Sequence, residues 1–190
     1  MPEGALMIGM YQKVLGDDFR QLSPVLQMLH HGQGASVSGH LIVYWPSWSW
    51  KRLLLRTLKM PAESDAAVCH VRICPGPRGA ERWERTIGAG ALTSLMQVSG
   101  HRLIIERTGL LKVHLKTWVD AQGSLQQRSE RIYLRGLGVP LPGLVITASE
   151  HALDASRFRC RVTVVSFPFG RLLSYEGDLS VLNTNSLRNC

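Results

Sequence analysis

Hydrophobic residues follow a helical spacing in the first part of the chain and mostly a two-residue spacing after Pro61. Residues 11–16 and 18–22 have short stretches of helical spacing. Ser23 followed by Pro24 is typical of a helix start, with serine as the N-cap and proline at the first helical position. These patterns predict two or three short helices in the N-terminal region.

One strand and one longer helix are predicted before Pro61. Residues 35–45 alternate between apolar and polar side chains, as a strand with one buried face does. Ser47 can cap a helix over residues 48–60, which Pro61 would stop. This helix has an apolar face and a basic polar face, so we expect it to be amphipathic.

The rest of the chain consists of alternating segments separated by short turn sequences rich in glycine and proline. Hairpin connections imply antiparallel neighbours, and a sheet of this size twists and curls. The fold class expected is mainly β (α+β). It is a strongly curved antiparallel meander sheet or a partly closed β-barrel of about ten strands, with the helices packed on it or plugging one end. The predicted strands after Pro61 cover residues 67–74, 81–87, 92–98, 102–107, 110–120, 125–134, 144–152, 157–166 and 172–182.

Length and composition favour one globular domain. The chain has 190 residues, of which 45% are hydrophobic and 19% charged. This profile excludes a disordered chain, and the sequence has no apolar run of about 18 residues that could form a membrane-spanning helix. We expect a loose leader at residues 1–10, a single β-rich domain at residues 11–182, and a polar tail at residues 183–190.

The net charge of +8 suggests an anionic partner, but its distribution along the sequence is even. The first 60 residues carry +3, the next 60 carry +2, and the last 70 carry +3. No basic arm or basic helix stands out, so nucleic acid is disfavoured as a partner. Most of the cations are arginines, which suit carboxylate or phosphate groups.

The sequence contains no motif for a metal, a cofactor or a known catalytic mechanism. The four cysteines form no C-x-x-C pair, and no histidine lies at a spacing that would bring metal ligands together. We therefore predict neither a metal nor a cofactor. We expect reduced, mostly buried thiols and a cytoplasmic protein, or one peripheral to a membrane.

Polar and aromatic residues inside otherwise apolar strands are the candidate ligand-binding site. Arg85 and Glu106 can pair across strands, and a buried pair of this kind needs further hydrogen bonds. The group is either a polar clamp inside a cavity or an internal ion pair that fixes strand register. The candidate ligand-binding residues are Trp83, Arg85, Glu106, Tyr175 and Glu176.

A segment that combines tryptophans with cations is the candidate membrane or partner surface. Tryptophan prefers the membrane interface, and lysine and arginine attract anionic headgroups. The alternative is an amphipathic helix that covers the sheet. The candidate surface residues are Trp45, Trp48, Trp50, Lys51, Arg52 and Arg56.

Three arginines alternate with apolar residues on one predicted strand. Arg157, Arg159 and Arg161 would share one face of it, opposite Phe158. This basic face is either an anion-binding strip or an ordinary solvated surface.

Several motifs occur at characteristic spacings along the chain. They are Tyr11…Val14-Leu15-Gly16…Phe19…Leu22…Pro24…Leu26…Leu29-His30, Trp83-x-Arg85, Gly100-x-x-Leu103-x-x-Glu106-x-x-Gly109, Gly138-Val139-Pro140-Leu141-Pro142, Arg157-Phe158, and Pro168-x-Gly170-x-Leu172-x-x-Tyr175-Glu176-Gly177-x-Leu179. Together they resemble a bacterial domain-of-unknown-function family, the one numbered forty-one sixty-six. The resemblance implies a β-rich domain from about residue 11 to residue 182 and carries no catalytic residue over. Members of the family stand alone or follow a nucleotide-cofactor domain of the saccharopine-dehydrogenase-like kind, which makes a dehydrogenase-like protein a candidate partner.

Three functions remain open at this point. The leading hypothesis is a non-enzymatic binding domain that holds an apolar or amphipathic small molecule, with or without an acidic group, inside the curled sheet. This hypothesis expects a cavity of at least about 300 Å³. The second is a module that docks on an anionic membrane or a protein through residues 45–59. The third is an enzyme with an Arg85/Glu106 or Tyr175/Glu176 acid–base pair.

Overall fold

A computed structural model describes residues 8–57 and 60–182 of the chain. Three α-helices lie at Met10–Leu15 (α1), Pro24–His30 (α2) and Ser49–Thr57 (α3), with a 3₁₀-helix at Gly16–Gln21 between the first two. Ser23 precedes α2 as predicted, but its side chain does not cap that helix. Its hydroxyl donates instead to the carbonyl oxygen of Gly123, 3.2 Å away.

Eleven strands occur in the described part of the chain, and ten of them close into an antiparallel barrel. Each of β1 to β7 pairs with its sequence neighbour. Strand β9 then pairs with β7 and β10, and β11 joins β10 to β1. The two-residue β8 adds to the edge of β7. The strands are β1 (Ala35–Tyr44), β2 (Ser64–Pro75), β3 (Glu81–Ile87), β4 (Gly90–Gly100), β5 (Leu103–Thr108), β6 (Leu111–Val119), β7 (Leu125–Leu134), β8 (Val139–Pro140), β9 (Leu144–Ala152), β10 (Arg157–Ser166) and β11 (Gly170–Leu182).

Because consecutive strands run in opposite directions, every connection between them lies at one of the two ends of the barrel. The plug end holds residues 8–34 and the turns that follow β2, β4, β6 and β9. The rim end holds α3 and the connections that follow β1, β3, β5, β7 and β10. Because consecutive strands alternate in direction, distant parts of the sequence meet at each end.

The N-terminal helices close the plug end. Their apolar side chains are buried, with Tyr11, Val14, Leu26 and Leu29 each no more than 2% exposed. The backbone of this segment bonds to the barrel turns, from the Arg102 N–H to the Val14 carbonyl oxygen at 2.9 Å. The helices are therefore part of the core, as the sequence pattern predicted.

The core is the barrel interior, formed by the inward-facing residues of every long strand together with the plug. The sequence predicted a curled or partly closed sheet, and the structure shows full closure through pairing of β1 with β11. Among the described residues, no helix is long and apolar enough to cross a membrane.

Candidate functional site

A cavity of about 80 Å³ lies inside the barrel. Its wall is mostly apolar, and Tyr11 and Leu29 of the plug contribute to it. The polar groups that reach it come from β3, β7, β9 and β11. This volume is well below the roughly 300 Å³ of pockets for drug-sized ligands, so the expectation of a ligand-sized cavity is not met.

Arg85 on β3 is the cation of the cavity wall. Its Nη1 donates to Ser94 Oγ at 2.7 Å and to Glu106 Oε1 at 3.2 Å. Its guanidinium carbon lies 4.8 Å from the centre of the Trp83 ring, a cation–π distance. The sequence predicted the Arg85–Glu106 pair. The two residues are on β3 and β5, and Ser94 on the intervening β4 bonds to the same Arg85 nitrogen.

Arg85 remains charged in this setting. Burial alone lowers its pKa, but the interactions with Glu106, Tyr175 and Tyr11 together more than offset this, so that the pKa lies above its ordinary value. Only Nη1 has hydrogen-bond partners among the described residues. The N–H groups on Nε and Nη2 are therefore unused, and they are not among the fully buried polar atoms. They can donate to a group in the cavity.

The Tyr175 hydroxyl is a second unused donor at the cavity. Tyr175 lines the cavity from β11, and none of the hydrogen bonds found among the described residues involves its hydroxyl. Burial raises its pKa well above the ordinary value, so the group stays protonated at neutral pH. Arg85 and Tyr175 line the same cavity, and the positive charge of Arg85 partly offsets the effect of burial on the pKa of Tyr175.

A second polar cluster lies where the plug meets the barrel. His30 Nε2 is 2.6 Å from Glu150 Oε2, and the His30 ring stacks with Trp83 at 5.9 Å. Trp83 donates its indole N–H to Glu81 Oε2 at 3.0 Å. The ring of Tyr11 lies 4.1 Å from that of His30. This cluster joins α1 and α2 to strands β3 and β9 through polar contacts that are largely internal.

Two polar atoms of this second cluster have no partner in the part of the chain that the structure describes. They are Glu81 Oε1 and His30 Nδ1, and both are fully buried. Burial raises the pKa of Glu81, an effect that His30 and the Trp83 indole partly offset. Leaving a buried polar group unpaired costs about 1–3 kcal/mol.

The two cysteines at the cavity are free thiols. Cys69 and Cys160 both line it, and burial raises the pKa of Cys69 to about 11. The pKa of Cys160 is raised further, again mainly by burial. Neither is a thiolate at neutral pH, so neither is an activated nucleophile. The expectation of reduced thiols is wrong for Cys74, which is disulfide-bonded, and Cys190 lies outside the described residues.

Four of the five predicted ligand-binding residues face the barrel interior. Trp83, Arg85 and Tyr175 line the cavity, and Glu106 pairs with Arg85 beside it. Glu176 faces the outside, where its carboxylate accepts a hydrogen bond from Arg161 at 2.5 Å. The reason is the strand period of two, which places the neighbours Tyr175 and Glu176 on opposite faces.

This geometry weighs against the proposed acid–base pairs. Tyr175 and Glu176 cannot act on one substrate from opposite faces of β11. Arg85 and Glu106 are bonded to each other, and the pKa of Arg85 is raised. In the described residues, no three His, Cys, Asp or Glu side chains converge as metal ligands.

The arginine strip on β10 is neutralised by neighbouring acids. Arg159 forms two hydrogen bonds with Asp178, at 2.6 and 3.0 Å, and Arg161 bonds to Glu176. Arg157 pairs with Asp154 at 2.6 Å. The strip is a solvated outer face, and its charges are already paired.

The tryptophan-rich segment lies at the rim end, where its six predicted surface residues take different positions. Trp48, Trp50 and Arg56 are exposed. Trp45 is half-buried and donates its indole N–H to the Pro61 carbonyl oxygen at 2.8 Å. Lys51 is only 5% exposed and donates to the Phe169 carbonyl oxygen, and Arg52 pairs with Glu63.

Sequence reasoning missed Tyr11, His30, Glu81 and Glu150. They come from two helices and two strands that are far apart in sequence. The sequence contained only a weak indication of this cluster. Glu150 alternates with Ala148 and Ala152 on an inward face, and a carboxylate in such a row has to find an internal partner.

The comparison with protein families finds a match to the domain of unknown function DUF4166 over residues 22–179. The chain belongs to the DUF4166 family. The match covers β1 to β10 and β11 as far as Leu179. For this DUF4166 chain, no curated protein gives a match. The family description assigns no function, so the function of the DUF4166 barrel has to be argued from its interior and its surface.

Proposed function

We propose that the barrel is a non-enzymatic binding domain for a small amphipathic molecule. The observation that carries this proposal is a mostly apolar internal cavity with unused N–H groups of Arg85 and an unused hydroxyl of Tyr175 at its wall. Binding sites for small molecules are typically apolar with a few convergent polar groups. These donors are not among the fully buried unpartnered atoms of the described chain, so they are accessible to a molecule that enters the cavity.

The polar end of the ligand is a neutral oxygen acceptor. Glu106 already neutralises Arg85, and Glu150 also reaches the cavity. A carboxylate would therefore meet negative charge as well as positive charge in a medium of low dielectric constant. A carbonyl or hydroxyl oxygen accepts from Arg85 and Tyr175 without that repulsion, and so the structure favours it over the acidic group considered from the sequence.

The size of the cavity limits the apolar end. A water molecule occupies about 30 Å³ of liquid, and a dry cavity of about 150 Å³ holds benzene. The present cavity of about 80 Å³ therefore suits a short chain. A longer molecule requires the displacement of interior side chains.

Among the described residues, no titratable group at the cavity is poised for catalysis, which supports binding rather than catalysis. The titratable side chains at the cavity either bond to each other, as Arg85 does to Glu106 and His30 to Glu150, or have pKa values raised away from neutrality, as Tyr175 and Cys160 do. A general acid or base works best with a pKa near the working pH.

Solution NMR titration with butanol and hexanol, and with butanoate and hexanoate, tests the proposal. We expect the alcohols to shift interior resonances at saturation and to bind more tightly than the matched acids at neutral pH. Tyr175→Phe should weaken hexanol binding about fivefold, because one hydrogen bond contributes about 1 kcal/mol. Val162→Phe should fill the cavity and remove binding.

Val68 offers the matched control, since it lies on β2 and is 48% exposed. Val68→Phe adds the same side chain outside the barrel and should leave hexanol binding unchanged. If the alcohols fail to shift interior resonances, or if Val162→Phe and Val68→Phe behave alike, the barrel interior is not the binding site.

A further inference from the structure

The net charge of the protein is concentrated at one end of the barrel. Each end is defined by its connections and the two strand residues on either side of them. Among the described residues, the plug end has six cations and five anions, and the rim end has seven cations and two anions. The rim-end cations are Lys51, Arg52, Arg56, Arg107, Lys112, Arg135 and Arg171, and the anions are Glu63 and Asp65.

The exposed hydrophobic side chains are concentrated at the same end. Ten of the sixteen large hydrophobic residues that are exposed in the described chain lie there, including all five aromatic ones. They come from four different connections and from the strand ends beside them. They are Tyr44, Trp48, Trp50, Leu53, Leu110, Leu137, Val139, Val165, Phe167 and Phe169. We call these ten residues and the seven cations the basic apolar rim.

The most exposed part of the rim is built from α3 and the β10–β11 turn. The Trp50 and Phe169 rings meet edge to face at 5.2 Å, and Lys51 Nζ lies 5.2 Å from the centre of the Trp48 ring. Beyond these contacts Leu53 is 66% exposed and Phe167 is 81% exposed. Lys51 therefore joins the two segments, while their apolar side chains remain directed at solvent.

We propose that the basic apolar rim docks on the surface of an anionic lipid bilayer. Aromatic and leucine side chains at loop tips enter the boundary between headgroups and acyl chains, and surrounding lysine and arginine residues bind anionic headgroups. Both components are present on one end of this molecule. A nucleic acid would use the cations but would leave aliphatic side chains such as Leu53 and Leu137 exposed to water.

Charge complementarity identifies the lipid surface as anionic. The rim has seven cations and two anions among the described residues, so its attraction to an anionic lipid surface is strong. A neutral lipid surface offers it no such attraction. The rim is the end of the barrel opposite the helical plug. Docking through it would orient the barrel axis roughly perpendicular to the membrane. The proposal does not depend on a ligand in the cavity, because the surface residues that carry it lie outside the cavity wall.

Flotation of the full chain with vesicles tests this docking. Vesicles of phosphatidylcholine alone are compared with vesicles that also contain phosphatidylserine. We expect binding only to the second kind, and a decrease as sodium chloride is raised, because salt screens exposed charges. Binding to both kinds alike, or to neither, would overturn the proposal.

Surface variants at the two ends provide matched controls. Arg56→Glu should lower binding about tenfold, since each basic residue near an anionic membrane contributes about fivefold. Arg20→Glu at the plug end should leave it unchanged. The pair Trp48→Ser with Leu53→Ser should lower binding at least about tenfold, and the pair Ile8→Ser with Leu153→Ser should not.

A depth measurement identifies the residues that touch lipid. Vesicles of brominated phosphatidylcholine with phosphatidylserine should quench the fluorescence of Trp48 and Trp50 and spare the buried Trp83. Trp48→Phe with Trp50→Phe should remove most of the quenching. If vesicles are not bound and sedimentation instead shows a dimer that the Trp48→Ser with Leu53→Ser variant abolishes, the rim is an interface between copies and the bilayer proposal is wrong.

Discussion

The two ends of the barrel differ in whether the apolar side chains of their helices are buried or exposed. At the plug end, the apolar faces of α1 and α2 are buried and their backbone bonds to the barrel turns. At the rim end, α3 buries Leu55 but leaves Trp50 and Leu53 exposed, and Trp48 just before the helix is exposed as well. One end is thus stabilised by packing, and the other leaves an apolar surface exposed to solvent.

The largest effect that distinguishes the ends is the loss of a buried leucine. Leu26→Ala in α2 should lower the free energy of unfolding by about 3 kcal/mol, because the residue is 0% exposed and its removal leaves a cavity. Leu53→Ala in α3 should change it by less than about 0.5 kcal/mol, since that side chain is 66% exposed. Urea denaturation of both variants measures this. A similar loss in the two variants would mean that the rim is also packed.

An intermediate effect is expected from glycines in the turns of the two ends. Gly123 at the plug end and Gly170 at the rim end both have positive φ, at 73° and 75°. Alanine should cost about 1 kcal/mol at Gly170, where its Cβ meets nothing within 4 Å. At Gly123 the Cβ would lie 2.8 Å from the Gln21 carbonyl oxygen, so the total should exceed about 2 kcal/mol. Thermal unfolding of the two alanine variants measures these losses of stability. Equal losses would show that the plug can shift to make room for the added Cβ atom.

The smallest effect depends on pH and concerns Glu81. Burial raises its pKa, so the folded state holds this proton more tightly than the unfolded chain does. The stabilisation is present at acidic pH and is lost as the pH rises through the pKa of the folded state. Glu81→Gln should therefore stabilise the protein by about 1 kcal/mol at neutral pH and have little effect in acid.

Glu63 at the rim end is the control for that measurement, because its carboxylate is 46% exposed and pairs with Arg52. Glu63→Gln should change the free energy of unfolding by less than about 0.5 kcal/mol at neutral pH. If Glu81→Gln destabilises the protein at neutral pH, the Glu81 carboxylate contributes to the plug as an anion, contrary to the expectation.

Most strands could be predicted from the sequence because their limits are set by local turn signals. Strands β3, β7, β9 and β10 have the predicted bounds, and each ends at a short connection rich in glycine, proline or aspartate. Helix α3 is shorter than predicted. Closure of the barrel could not be predicted, because it depends on the pairing of β1 with β11, which no local pattern specifies.

The position of charge was the main failure of sequence reasoning. The net charge is spread evenly along the sequence, because each third of the chain contributes residues to both ends of the barrel. Only the strand order shows that Arg56, Lys112 and Arg171 share one end. The placement of Tyr175 and Glu176 on opposite faces of β11 could have been predicted, because neighbouring residues of a strand alternate between its faces. Grouping the two residues in one candidate site was therefore wrong.

The contact between β1 and β11 also governs how the chain reaches this structure. Every other strand pair joins segments close in sequence, so hairpins can form early and at little entropic cost. The β1–β11 register joins Ser36 to Leu182 and cannot form until nearly the whole described chain is in place. Until then both strands are open edges that can pair with other chains. Aggregation during synthesis or refolding should therefore depend mainly on how fast this last strand pair forms.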